Sequence, residues 1–124
     1  MPKKNKILIA EDDPYLSKIM SATLKEEEFE VEMAKDGVEA LKKIKKDDYA
    51  LVLLDLIMPI KDGFEVLKEL KKAKIKTPVL VFSNLSQERD ETQVFALGAK
   101  EYFIKSDMSI EDVVKTVKRY TTKK

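Results

Sequence analysis

The sequence predicts a three-layer α/β fold built on a doubly wound parallel sheet. Short apolar segments alternate five times with longer amphipathic segments, and no Pro/Gly/Ser-rich linker separates them. The segments Leu51-Val52-Leu53-Leu54 and Val79-Leu80-Val81-Phe82 are apolar at every position, which is typical of strands that helices cover on both faces. With 124 residues, 44% of them hydrophobic, the chain is expected to be one domain with its core at about 6–120 and no room for an output domain.

The five short apolar segments are the predicted strands. They lie at Lys6 to Ala10, Glu30 to Met33, Ala50 to Leu54, Val79 to Phe82 and Glu101 to Ile104. The segments between them carry apolar residues at helical spacing, so each can bury one face. These residues are Leu16, Ile19, Met20 and Leu24 in the first helix, Val38, Leu41 and Ile44 in the second, Val66, Leu67 and Leu70 in the third, and Ile110, Val113, Val114 and Val117 in the fifth.

Polar residues mark where the helices start. Asp13 is predicted to cap the first helix, with Pro14 at its first position, and capping boxes are predicted at Asp36-x-x-Glu39 and Ser109-x-x-Asp112. Asp62-Gly63 is predicted to be a turn.

The fourth helix is the weakest of the five. It is predicted from Gln87 to Leu97, with Gly98 as its end, and its first half, Gln87 to Gln93, offers no apolar residue to the core. We therefore expect this helix to be the most easily moved.

Composition excludes several kinds of chemistry. The chain has no Cys and no His, which removes disulfides, thiolate nucleophiles, the usual zinc sites and the Ser-His-Asp triad. Its three glycines, Gly37, Gly63 and Gly98, cannot form G-x-G-x-x-G or G-x-x-x-x-G-K-[ST], so dinucleotide and P-loop nucleotide binding are not expected.

Charge and hydropathy indicate where the protein acts. The 24 basic and 23 acidic residues give a formal charge of +1, without the basic surplus that binding to nucleic acid or to an anionic membrane needs. No apolar run approaches about 18 residues, and residues 1–5 lead into the first predicted strand without the apolar segment of a signal peptide, so none is expected. A cytoplasmic location is expected.

Polar residues follow four of the predicted strands at the edge where a doubly wound sheet binds its ligands. They are Glu11, Asp12 and Asp13 after the first strand, Asp55 after the third, Ser83 after the fourth and Lys105 after the fifth. Converging carboxylates repel one another unless a cation lies between them, and Mg²⁺ is the ion that such oxygen ligands favour. Each residue alone has an ordinary structural explanation, but their coincidence at one edge favours a functional site.

Asp55 is the predicted covalent site. It stands at the end of the most apolar strand, where a carboxylate can attack phosphorus and become an aspartyl phosphate. The hydroxyl of Ser83 and the ammonium of Lys105, together with Mg²⁺, could hold the oxygens of the transferred phosphoryl group.

These residues carry a family resemblance. The segments Ile7-Leu8-Ile9-Ala10-Glu11-Asp12-Asp13, Leu53-Leu54-Asp55-Leu56-Ile57-Met58-Pro59-Ile60-Lys61-Asp62-Gly63, Gly98-Ala99-Lys100-Glu101-Tyr102 and Ile104-Lys105 resemble the CheY-like receiver domain of two-component response regulators. The resemblance runs from about Lys6 to Tyr120 and implies a flavodoxin-like fold with strand order 2-1-3-4-5.

The resemblance also implies a function for the site. Asp55 would accept a phosphoryl group from phosphohistidine on a sensor kinase or phosphotransfer protein. Glu11, Asp12 and Asp55 would bind Mg²⁺ with the backbone carbonyl of Ile57, and Glu11 would act through water.

A conformational switch is implied as well. Ser83 would move toward the phosphoryl group and Tyr102 would turn inward, remodelling the surface of the fourth helix, fifth strand and fifth helix for a downstream protein. The implied protein is a monomer that could dimerise on phosphorylation and is a switch rather than an enzyme.

The sequence departs from the family pattern at several positions. Ser106 stands where a proline commonly follows the lysine, and Asn84 stands where a small residue is frequent. Ile57 and Leu85 occupy the positions that admit the hydrolytic water in the family, and because both are apolar, slow self-dephosphorylation is predicted.

Three other functions share part of this pattern. A phosphatase that forms an aspartyl phosphate needs a second aspartate two residues after the first, where this chain has Ile57, so turnover of phosphate esters is not expected. A phosphorylation-independent pseudo-receiver and a flavin-binding domain of the same topology are the other two alternatives. Pseudo-receivers usually lack an acid, the acceptor or the lysine, all of which are present here, and a colourless protein would exclude the flavin.

Overall fold

Five parallel strands form a single sheet in the order β2-β1-β3-β4-β5, as the sequence and its resemblance predict. The computed structural model describes residues 5–85 and 87–121. The strands are β1 (Lys6–Ala10), β2 (Glu30–Ala34), β3 (Leu51–Leu54), β4 (Val79–Ser83) and β5 (Glu101–Ile104). The observed ends of β2 and β4 lie one residue later than predicted, and β3 starts one residue later.

Helices connect the strands and cover both faces of the sheet. They are α1 (Pro14–Glu26), α2 (Gly37–Lys46), α3 (Gly63–Lys72), α4 (Glu88–Ala96) and α5 (Ile110–Thr121), with a short 3₁₀ helix at Lys105–Asp107 between β5 and α5. Among the described residues, 5–85 and 87–121, no helix has the length and apolar character needed to span a bilayer.

The alternation of side chains along the strands divides the core in two. Odd-numbered β1 residues such as Ile7 and Ile9 pack with Met20 of α1 and Val117 of α5. Even-numbered residues such as Leu8 pack on the opposite face, against α2, α3 and Val94 of α4. Because β1, β3 and β4 are buried along their whole length, their ends are held rigidly at the edge of the sheet.

Side-chain caps fix where several helices begin. The carboxylate of Asp13 accepts hydrogen bonds from the N–H groups of Tyr15 and Leu16, as predicted. Ser109 and Asp112 exchange the two hydrogen bonds of a capping box.

Two caps differ from the prediction. Asp36 caps α2 by accepting the N–H of Glu39, but the carboxylate of Glu39 reaches back to the N–H of Lys35, so the reciprocal bond of a capping box is absent from this pair. The prediction of a simple turn at Asp62-Gly63 is wrong, since Asp62 and Glu65 form a complete capping box at the start of α3.

The α4 helix is weakly attached, as its sequence predicts. Val94 is its one buried residue, and Phe95 remains 43% exposed. Among residues 5–85 and 87–121, no side chain caps its amino end at Gln87. Few buried contacts favour local opening of an element, so α4 is the helix most suited to change position.

A buried lysine lies at the opposite, amino-terminal end of the sheet. Lys6 on β1 is 4% exposed, and its ammonium forms ion pairs with Asp47 and with Glu32 on β2, 3.1 Å away in the latter case. The hydroxyl of Tyr49 donates a 2.7 Å hydrogen bond to Glu32. This hydrogen bond, followed by the contact with Lys6, holds the pKa of Glu32 below its ordinary value despite partial burial.

We expect Glu32→Gln to lower the unfolding free energy at neutral pH by about 1 kcal/mol. The unfolding free energy of this variant should also depend less on pH than that of wild type. A carboxylate whose folded pKa is lowered adds stability above its unfolded pKa, about 4.3, and loses that contribution as pH falls through the folded pKa. Denaturant titrations between pH 7 and 3 measure the effect. The gap between Glu32→Gln and wild type should narrow toward pH 3, whereas Glu26→Gln, at an exposed helical position, should show no such convergence. A constant gap would contradict the assignment.

Candidate functional site

The predicted site residues meet at the carboxyl edge of the sheet. Glu11 directly follows β1, Asp55 directly follows β3, and Lys105 directly follows β5. The backbone N–H of Glu11 donates to Ala34, and that of Asp55 donates to Ala10, so neighbouring strands fix both positions. The parallel ladder therefore places these side chains together, as their positions in the sequence predict.

The ammonium of Lys105 bridges the two buried carboxylates. Its Nζ lies 3.0 Å from Oδ2 of Asp55 and 2.7 Å from Oε1 of Glu11. Asp55 is 5% exposed and Glu11 is 3% exposed. A cation held this close to two buried carboxylates offsets part of their mutual repulsion.

A third carboxylate completes an acidic cluster. Glu11, Asp12 and Asp55 each offer an oxygen, and these oxygens lie within 4.8 Å of one another. Asp12 is exposed, so it lies at the solvent side of the cluster. Oε2 of Glu11 accepts the N–H of Asp13, but its buried Oε1 has no hydrogen bond apart from the ion pair with Lys105 in the described part of the chain. Oxygen ligands at this spacing, one of them incompletely paired, fit a hard divalent cation.

Burial and pairing act in opposite directions on the ionisable groups of the site. Burial raises the pKa of Glu11 above its ordinary value, although the contact with Lys105 opposes the shift. For Lys105, burial by itself would lower the pKa. The contacts of its ammonium with Glu11 and Asp55 outweigh burial, so the pKa of Lys105 is above its ordinary value. Lys105 is therefore a permanent cation beside Asp55 at neutral pH.

The loop after β3 is folded tightly against Asp55. Oδ1 of Asp55 accepts the N–H of Ile57 at 3.3 Å, and the N–H of Gly63 donates to Leu56 at 2.9 Å. A Cβ on Gly63 would lie 2.5 Å from the Asp55 carbonyl oxygen and 2.7 Å from the Cα of Leu56. Glycine is therefore required at 63 because the start of α3 packs directly on the backbone of the predicted acceptor.

Ser83 and Tyr102 are joined through the loop that follows β4. Ser83 is fully buried, and its Oγ accepts the N–H of Leu85 at 3.3 Å. The Tyr102 hydroxyl donates to the Leu85 carbonyl oxygen, and its half-buried ring packs against the core beneath α4. Burial raises the pKa of Tyr102, which keeps the hydroxyl a donor at neutral pH. The two predicted switch residues thus share one loop residue as a hydrogen-bond partner.

One contact at the site was not predicted. The side-chain carbonyl of Asn84 accepts a 3.0 Å hydrogen bond from the backbone N–H of Ser106, joining the loop after β4 to the loop after β5. The Lys105–Ser106 peptide bond is trans. Asn84 and Ser106 line a cleft of about 280 Å³ beside Lys105. Asp13 also lines this cleft, and its other lining residues are apolar.

Comparison with known proteins identifies the family. Residues 7–118 match the model of the response regulator receiver domain family. Response regulator RR06 of Streptococcus pneumoniae is 43% identical over 112 residues, which are 90% of this chain and 51% of that protein. Transcriptional regulatory protein SrrA of Staphylococcus aureus is 33% identical over 114 residues, 92% of this chain and 46% of that protein. The chain therefore spans about half the length of these relatives.

A solved structure shows the same architecture. The receiver domain of the Francisella response regulator 1452 superposes with a TM-score of 0.88 at 30% sequence identity, covering 95% of this chain and 97% of that one. The similarity thus extends over nearly the whole sheet and its helices.

Proposed function

Because the chain belongs to the response regulator receiver domain family, we propose that Asp55 accepts a phosphoryl group from phosphohistidine on a sensor kinase or phosphotransfer protein. Proteins of this family are signalling switches that work with histidine kinases, not conventional enzymes. The observation that carries the proposal is the position of Asp55, which is buried at the end of β3 with the Lys105 ammonium 3.0 Å from its carboxylate.

The proposed step transfers one phosphoryl group. A carboxylate oxygen of Asp55 attacks phosphorus as the P–N bond of phosphohistidine breaks, and the electron pair of that bond leaves on the imidazole nitrogen. The products are an acyl phosphate on Asp55 and the imidazole of the donor, which leaves as neutral histidine because its other ring nitrogen already carries a proton. Lys105, whose ammonium is 3.0 Å from Oδ2 of Asp55, is proposed to pair with the phosphoryl oxygens, and the Ser83 hydroxyl is proposed to donate to them.

The acidic cluster is proposed to hold Mg²⁺. Glu11, Asp12 and Asp55 would supply carboxylate oxygens, which lie within 4.8 Å of one another. By the family resemblance, Glu11 would act through water and the Ile57 carbonyl would be a further ligand. Bound there, Mg²⁺ would neutralise charge on the phosphoryl oxygens during transfer. The support for this assignment is the 4.8 Å grouping of the oxygens and the incompletely paired Oε1 of Glu11.

A small donor with a P–N bond tests the function. We expect phosphoramidate and Mg²⁺ to give a single phosphoryl adduct by intact-mass spectrometry, while p-nitrophenyl phosphate is not turned over. Continuous release of p-nitrophenol would indicate a phosphatase instead. A folded wild-type chain that forms no adduct with any donor would indicate a pseudo-receiver.

The switch is proposed to run from Ser83 through the Leu85 loop to Tyr102. Both residues hydrogen-bond to Leu85, directly before the weakly anchored α4. Movement of Ser83 toward a phosphoryl group would change that loop and shift the surface formed by α4, β5 and α5, where a downstream protein is proposed to bind.

We expect Lys105→Ala to accept a phosphoryl group, more slowly than wild type, but to fail to switch. Without the ammonium, the phosphoryl charge has no partner that connects it to β5. Amide NMR spectra before and after phosphorylation measure the response of α4, with Lys100→Ala, at an exposed position before β5, as the control that should respond like wild type. Equal shifts of the α4 amides in Lys105→Ala and wild type would contradict this role.

Slow hydrolysis of the adduct is also predicted. Ile57 is 57% exposed beside Asp55, and Leu85 lies two residues after Ser83, so neither flank offers a polar side chain to orient an attacking water. We expect Leu85→Gln to shorten the lifetime of the adduct about threefold or more, because an amide can position that water. Leu85→Met is the matched apolar control. A Leu85→Gln lifetime equal to that of wild type would contradict the explanation.

A further inference from the structure

The loops that carry Ser83 and Lys105 are joined beyond the end of the sheet. The last paired residues of β4 and β5 are Ser83 and Ile104, which makes Asn84 and Lys105 the next pair in register. The ladder does not stop there, because Oδ1 of Asn84 accepts the N–H of Ser106 at 3.0 Å. A side-chain carbonyl thus takes the place of a backbone acceptor and extends the connection between the two strands by one hydrogen bond.

Each partner of this hydrogen bond follows, in sequence, one of the two residues proposed to hold the phosphoryl oxygens. Ser83 immediately precedes Asn84, and Lys105 immediately precedes Ser106, so each end of the bond is one residue from a site residue. Lys105 extends to Asp55 and Glu11 from the first residue of a short 3₁₀ helix, which by itself has no side-chain cap. Among the hydrogen bonds of the described residues, the bond to Asn84 is the one that joins this 3₁₀ helix to the loop after β4.

We propose that Asn84 is a positioning residue for phosphoryl transfer, which holds the loop of Lys105 in a fixed relation to the loop of Ser83 through the Ser106 N–H. The inference rests on the proposed function of Asp55. It predicts that the hydrogen bond increases the rate of phosphorylation, because groups that are already in place lose less freedom when the phosphoryl group arrives.

A steric role for Asn84 predicts the opposite effect. Asn84 is exposed and lines the cleft beside Lys105, so a smaller residue there would open the path of the phosphodonor. Removing the side chain would then speed phosphorylation. The direction of the change therefore distinguishes positioning from obstruction.

The test compares Asn84→Ala with Asn84→Leu in phosphorylation by phosphoramidate at saturating Mg²⁺. Leucine has the same number and branching of side-chain heavy atoms as asparagine but no acceptor, so positioning predicts that both variants are slower than wild type, by about three- to tenfold. Ser106→Ala keeps the backbone N–H and should match wild type. A faster Asn84→Ala, or an unchanged rate in both Asn84 variants, would overturn the inference.

Further measurements separate positioning from a general loss of structure. Mg²⁺ affinity should be the same in Asn84→Ala as in wild type, since the acidic cluster is untouched, and the melting temperature should fall by no more than the loss of one hydrogen bond causes. In a Lys105→Ala background, Asn84→Ala should reduce the phosphorylation rate much less than it does in wild type, because Asn84 is proposed to act through Lys105. Full additivity would contradict action through Lys105. If wild type itself takes no phosphoryl group, the proposed function fails and this inference with it, whereas an active wild type with unchanged variants refutes the inference alone.

Discussion

Asp55→Asn is expected to abolish phosphorylation. The substitution keeps the shape of the side chain but replaces an anionic oxygen with an amide oxygen, which is a far weaker nucleophile toward phosphorus. Lys105 keeps its ion pair with Glu11 at 2.7 Å, so the site should remain folded. Intact-mass spectrometry after incubation with acetyl phosphate and Mg²⁺ should show the adduct in wild type and none in Asp55→Asn.

Asp62→Asn is the matched control for this experiment. Asp62 lies in the same loop and caps α3 through its side chain, a role that asparagine fills equally well. This variant should be phosphorylated like wild type. A stoichiometric adduct on another residue of Asp55→Asn would refute the assignment of the acceptor.

Asp12→Ala is expected to weaken Mg²⁺ binding by at least about tenfold. Asp12 is the exposed member of the acidic cluster, so its carboxylate can bind a cation directly without rearrangement of the core. Loss of one of few carboxylate ligands removes both a bond and a negative charge from the site. Titration with Mg²⁺, followed by calorimetry or by amide NMR shifts, measures the affinity.

The adjacent acid provides the control. Asp13 caps α1 by accepting two backbone N–H groups, so Asp13→Ala should cost about 1 kcal/mol of stability and leave the Mg²⁺ affinity nearly unchanged. Equal Mg²⁺ affinity in Asp12→Ala and wild type would contradict the assignment of Asp12 as a Mg²⁺ ligand.

The sheet was predictable because its central strands are buried on both faces. Unbroken apolar segments such as Leu51–Leu54 identify such strands without knowledge of their partners. Strand ends were less certain, since Ser83 pairs with Ile104 through its backbone and hydropathy carries no signal for that pairing. The capping box of Asp62 was missed although Glu65, three residues later, was the available signal.

The sequence was enough to predict which residues meet at the site. It was not enough to predict which contacts they make with one another. Parallel strands bring Glu11, Asp55 and Lys105 to one edge of the sheet, whatever conformation the loops adopt. The bridge that Lys105 makes between both carboxylates depends on the course of the chain after β5, which the sequence pattern does not specify. The hydrogen bond of Asn84 depends on the same loop and on a backbone N–H, so no pattern of side chains could indicate it.

Chemical identification of the phosphorylated residue is the most direct test of the central claim. The protein is incubated with acetyl phosphate and Mg²⁺, with and without a chelator, and then treated with borohydride, which reduces an aspartyl phosphate to homoserine. Peptide sequencing by mass spectrometry should find homoserine at position 55, and only in the sample that contains free Mg²⁺. Homoserine at Asp12 or Asp13, or an adduct that forms equally well with chelator, would contradict the account.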